Sequence, residues 1–160
     1  MTETAALKQR DGTAAACRVL FVCTGNTCRS PMAAAIANDL AAKNGRADFI
    51  AASAGLFAND GEPMSEGACY ALDALGVPVP QHTAQTVSAS LVEQADVVVG
   101  LTGSHAMQLM LRFPEAAEKI TTLPMDITDP YGGDHDTYLS CATQLKLCVE
   151  LAFFGGEYDT

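Results

Sequence analysis

The stretch that most constrains this chain is Cys23-Thr24-Gly25-Asn26-Thr27-Cys28-Arg29-Ser30, set directly after the apolar run Val19-Leu20-Phe21-Val22. Four consecutive apolar residues, three of them β-branched or aromatic, read as a buried strand. A turn follows, then Ser30-Pro31 and the Ala-rich run Met32 to Ala42. Serine before proline at the first helical position signals a helix start. The octet therefore lies between the carboxyl end of a strand and the amino end of a helix, where unpaired N–H groups and the helix dipole favour an anion.

A phosphate suits that place, and the residues suit chemistry on it. Cys23 can attack only as a thiolate, the form that backbone N–H groups, a nearby arginine and a helix N-terminus all favour. Arg29 presents a planar fork able to hold two oxygens of a tetrahedral dianion. Gly25 and Asn26 are residue types that accept a positive φ, needed if successive N–H groups are to converge on one point. A cysteine, five residues, an arginine and a hydroxyl form a strong signal in this strand-to-helix setting and a weak one as a bare pattern.

Composition narrows the class. At 160 residues, 49% hydrophobic and 18% charged, the chain is expected to be one globular domain with a sizeable core. A net charge of −10 leaves no basic surplus for a nucleic-acid backbone, so no nucleic-acid partner is expected. Six cysteines do not read as a disulfide framework in a chain of this length with no secretory signal. No run approaches a membrane span. A cytoplasmic location with reduced thiols is the expectation.

Residues 1–16 show no clear apolar period and are expected to form a flexible N-terminal extension, with residues 17–160 a single domain. Further strands are expected at 48–54, 96–101 and 119–123, and helices at 31–43, 63–75, 90–94, 104–112 and 137–154. This alternation predicts an α/β fold of three layers, a four-stranded parallel sheet flanked by helices with the phosphate-binding loop after strand 1. Open sheets of this kind bind ligands beyond the carboxyl ends of their strands. His105, near the start of the helix at 104–112, reads as a capping or surface residue, and Cys69 as core.

Val19 to Ala33 resembles the phosphate loop of the low-molecular-weight protein tyrosine phosphatase family, and Asp129-Pro130-Tyr131 resembles its distant general-acid motif. The resemblance runs from about Arg18 onward and includes Ser53-Ala54-Gly55, His82 and Leu101-Thr102. Thr27 and Asp129-Pro130-Tyr131-Gly132-Gly133 are more similar to the bacterial protein-arginine phosphatases within that family. Ala34 departs from it, standing where a glutamate is usual.

The resemblance implies strand order 2-1-3-4 and a catalyst without metal or cofactor, acting on phosphorylated protein substrates. Cys23 would be the nucleophile. Thr24, Gly25, Asn26, Thr27, Cys28 and Arg29 would bind the phosphate, and Asp129 would serve as acid and then base. Asp126 and Asp134 compete locally, but neither is followed by proline and an aromatic. Ser30, Ser53 and His82, with Asn26, would form a hydrogen-bonded support beneath the loop. Thr27, Phe57 and Tyr131 would line the substrate pocket; Phe57 reads equally as a core residue closing its loop.

Thr27 is the position on which substrate choice should turn. A larger aliphatic side chain would favour a phenyl ring, whereas threonine offers a hydroxyl to the guanidinium of phosphoarginine. Phosphoarginine is the expected substrate and phosphotyrosine the alternative. Cys28 stands one loop turn from Cys23, so a reversible disulfide between them is expected to protect the nucleophile. A thioredoxin-coupled arsenate reductase would need a further cysteine pair, for which Cys69, Cys141 and Cys148 are poorly spaced. A silent phosphate-binding module would not need Cys23, Arg29 and Asp129 together. Oligomeric state is left open by the sequence.

Overall fold

A computed structural model describes residues 17–155 and places the apolar run at the centre of a four-stranded parallel sheet. The elements in order are β1 (Cys17–Cys23), α1 (Arg29–Lys43), β2 (Phe49–Gly55), α2 (Glu66–Ala74), α3 (Ala89–Gln94), β3 (Val97–Gly100), α4 (Gly103–Arg112), β4 (Ile120–Thr122) and α5 (His135–Val149). The sheet order is β2-β1-β3-β4, as the resemblance implied. The expected extension at residues 1–16 lies outside the described residues.

Side-chain alternation along β1 builds a core on each face of the sheet. Val19, Phe21 and Cys23 pack with Met32, Ile36 and Leu145 of α1 and α5, whereas Leu20 and Val22 pack with Val92, Val98 and Leu109 on the other side. Burial on both faces is why this strand reads as a continuous apolar run. Parity also decides the chemistry: Cys23 falls on the same side as Phe21, toward α1. β1 pairs with β2 on one edge and β3 on the other, so its carboxyl end is the point where the strand order reverses.

Three elements differ from expectation, one of them α2, which starts at Glu66 behind its Ser65 cap rather than at residue 63. The first helix starts at Arg29 rather than at residue 31, its N-cap is Cys28, and no side chain makes a capping bond. Ser30 therefore lies inside the first turn instead of capping it. Asn26, with φ of 60°, turns the chain back early enough for Arg29 to open the helix. The last helix is α only to Val149 and closes in a π turn, Glu150–Phe154. That wider turn lets two consecutive rings reach the sheet, Phe153 at 6.2 Å from Phe21 and Phe154 at 5.2 Å from Phe49. No helix of the described residues is long and apolar enough to cross a membrane.

Candidate active site

Cys23 ends β1 with its sulfur within hydrogen-bond reach of two groups. Ser30 Oγ lies 2.9 Å from Cys23 Sγ, and the Asn26 backbone N–H donates to the same sulfur at 3.3 Å. The neighbours of Ser30 narrow what its hydroxyl can do. The Gln85 backbone N–H can only donate, so its 2.9 Å contact fixes the Asn26 amide with Oδ1 toward Gln85. Asn26 Nδ2 then donates to Ser30 Oγ at 2.8 Å and to Ser53 Oγ at 2.9 Å. One lone pair of Ser30 Oγ is thus taken, and its single proton faces two acceptors, Cys23 Sγ at 2.9 Å and Ala54 O at 3.4 Å, turning to the sulfur once that is a thiolate.

The same network reaches His82, whose Nε2 donates to the Asn26 carbonyl at 2.8 Å. Asn26, Ser30 and Ser53 are buried and His82 is half-buried, so these bonds form away from water, where an unpaired group would be costly. The left-handed backbone of Asn26 is over-determined by five side-chain and backbone partners. Gly55 makes room for the loop: a Cβ there would lie 2.5 Å from the Thr24 carbonyl oxygen.

Arg29 is buried at the first turn of α1, and its Nη1 donates to the Ile127 carbonyl at 2.9 Å. Its Nη2 lies 3.7 Å from Asp129 Oδ2, which brings the distant acidic loop over the octet. The other Asp129 oxygen accepts the Tyr131 N–H at 3.1 Å, and a Pro130-to-Gly133 turn with Gly132 at φ 81° closes the loop. The competing aspartates are engaged elsewhere. Asp126 accepts the Gly103 N–H at the start of α4, and Asp134 caps α5 through Thr137, whose N–H and hydroxyl hold its carboxyl below the usual range.

Thr27 is half-exposed in the loop, its carbonyl taking the Ser65 N–H at 3.0 Å. Phe57 is 66% exposed and Tyr131 80% exposed, so Phe57 is not the core residue that one expectation allowed. The Arg112 guanidinium covers the Phe57 ring at 4.8 Å and donates to the Leu56 carbonyl at 3.1 Å.

Three neighbours of the loop, Ser65, Tyr138 and His105, come from distant segments and were not expected there. Cys28 Sγ lies 3.3 Å from Ser65 Oγ and 3.6 Å from the Tyr138 hydroxyl, which burial pushes up to about 12. His105 is buried and bonded to Thr24 rather than at the surface, because α4 begins directly behind the loop. The spacing Thr102-x-x-His105 was the available signal, since Thr102 caps α4 by accepting the His105 N–H at 3.2 Å. Cys141 and Cys148 are buried in α5, and burial pushes the Cys141 thiol up to about 12.

A central parallel strand ending in cysteine, a bonded turn and an arginine opening the next helix make a cysteine-bearing anion loop of the kind that low-molecular-weight phosphatases carry. Their family profile, described as low molecular weight phosphotyrosine protein phosphatase, matches residues 18–152. The chain belongs to that family and is a phosphatase, a hydrolase. The protein-arginine-phosphatase of Geobacillus stearothermophilus is 34% identical over 140 residues, covering 83% of this chain and 91% of that protein. The low molecular weight protein-tyrosine-phosphatase PtpB of Staphylococcus haemolyticus is 34% identical over 138 residues, 82% of this chain and 94% of its own. Among solved structures, the low molecular weight protein tyrosine phosphatase of T. tengcongensis superposes with a TM-score of 0.79 at 39% identity, covering 83% of this chain and 95% of that one.

Proposed function

We propose that this chain removes phosphate from phosphoarginine side chains of proteins through a cysteinyl-phosphate intermediate. The Cys23 thiolate attacks phosphorus in line while Arg29 and the N–H groups of the loop hold the equatorial oxygens. Asp129 gives its proton to the leaving nitrogen as the phosphorus–nitrogen bond breaks. Asp129 then takes a proton from water, which attacks phosphorus and releases phosphate and the thiolate. The observation that carries this reading is the Cys23 sulfur bonded at 2.9 Å to Ser30 in a loop whose Arg29 lies 3.7 Å from Asp129.

Overall identity does not choose the substrate, since relatives named for arginine and for tyrosine match equally at 34%. The choice rests on Thr27. Its hydroxyl can accept from a guanidinium, and the Asp129 carboxyl can face that cation, whereas a larger aliphatic group would crowd it. Thr27→Ile is expected to lower kcat/KM on a phosphoarginine peptide by about tenfold relative to a phosphotyrosine peptide. An unchanged ratio in competition assays would refute the phosphoarginine assignment.

Cys28 gives the site a redox guard in this reading. Peroxide oxidises the Cys23 thiolate to a sulfenic acid, and the Cys28 thiol displaces water from it to form a disulfide. Peroxide-inactivated wild type is then expected to regain activity with a dithiol, whereas Cys28→Ala is not. Full recovery by the variant would remove Cys28 from this role.

A further inference from the structure

His105 is a buried titratable group beside the loop that the chemistry above leaves unused. It lies in the first turn of α4, 4% exposed. Both ring nitrogens meet hydroxyls at 3.0 Å, Nδ1 at Thr102 Oγ1 and Nε2 at Thr24 Oγ1. The helix can come this close because β3 ends in Gly100, where a Cβ would lie 2.6 Å from the Ala106 nitrogen. Thr24 directly follows Cys23. Its carbonyl takes the Phe57 N–H at 3.0 Å, and the Cys23 carbonyl takes the Leu56 N–H at 2.9 Å. Asn26 and Ser30 thus tie the middle and end of the loop, while its entry is tied through Thr24.

We infer that His105 is a positioning residue: its Nε2 bond to Thr24 fixes the entry of the loop and so the placement of the Cys23 sulfur. Burial first, then the Arg29 charge, push the imidazole down to about 4, so the ring is neutral at pH 7, with one nitrogen donating and the other accepting. With hydrogen on Nε2, each group is used in sequence. Thr102 Oγ1 accepts the His105 backbone N–H and donates to Nδ1, Nε2 donates to Thr24 Oγ1, and the Thr24 proton is left for another acceptor. The inference rests on Cys23 being the nucleophile.

Two isosteres separate this role from a purely structural one. Glutamine puts its amide nitrogen near Nε2 and keeps the Thr24 bond; asparagine puts it near Nδ1 and keeps only the Thr102 bond. Steady-state kinetics on an aryl phosphate, with thermal melts alongside, should find His105→Gln within about threefold of wild-type kcat. His105→Asn and Thr24→Val should each lose about tenfold in kcat with KM little changed, and the double variant should lose no more than either. Equal rates for the two isosteres, a faster asparagine variant, additive losses in the double variant, or losses that track the melting temperature would overturn the assignment. Cys23→Ser, run in parallel, should be inactive. Turnover by that variant would instead overturn the nucleophile, and the His105 role with it.

Discussion

Replacing Cys23 with serine is expected to lower kcat on an aryl phosphate by at least about 10⁴-fold while leaving the fold intact. The sulfur lies 2.9 Å from Ser30 Oγ and accepts the Asn26 N–H at 3.3 Å, so the attacking atom is held in place. A serine hydroxyl has no comparable access to the ionised form at neutral pH, and the donors around it are too weak to strip its proton. Arg29 and the loop amides are untouched by the change, so inorganic phosphate should still bind within a few fold of wild type. Rate and affinity should therefore separate. Near-normal turnover in the variant would mean that another group attacks phosphorus.

Asp129→Asn should cost about 10²–10³ in kcat, within the roughly 10²–10⁴ that positioned proton transfer supplies. The substitution is conservative for the loop, because asparagine Oδ1 can still accept the Tyr131 N–H that Asp129 accepts at 3.1 Å. What it removes is the carboxyl oxygen that lies 3.7 Å from Arg29 Nη2, the group proposed to pass a proton to the leaving atom. The pH–rate profile should lose the limb that reports this acid. An aryl phosphate with a good leaving group should transfer its phosphoryl group to Cys23 faster than water removes it, so the intermediate accumulates. A variant with wild-type kcat and an unaltered profile would hand the role to another group. Asp126 and Asp134 are poor replacements, committed to the starts of α4 and α5.

Much of this architecture was legible because local and long-range signals agree. Val19 to Val22 is apolar throughout because β1 is covered on both faces, and the turn residues after it mark where the chain must bend. Of the two residues read as able to take a positive φ, Asn26 does so, at 60°, and Gly25 does not. The helix start was misread by two residues because Ser30 carries a capping signal but spends its hydroxyl on Cys23 and Asn26. His105 stayed hidden for a different reason. Its depth is set by the glycine at 100 that lets α4 approach β3, and its partner Thr24 is 81 residues away. The hydroxyls around Cys28 come from Ser65 and Tyr138, 37 and 110 residues off, and no local pattern reports them.

The covalent intermediate is the centre of this account, and mass spectrometry reads it directly. Asp129→Asn should be quenched during turnover of an aryl phosphate and its intact mass measured. The protein should carry the mass of one phosphoryl group, mapping to Cys23 and absent when alanine replaces that cysteine. A turning-over enzyme with no such adduct, or with the phosphoryl group on another residue, would contradict it.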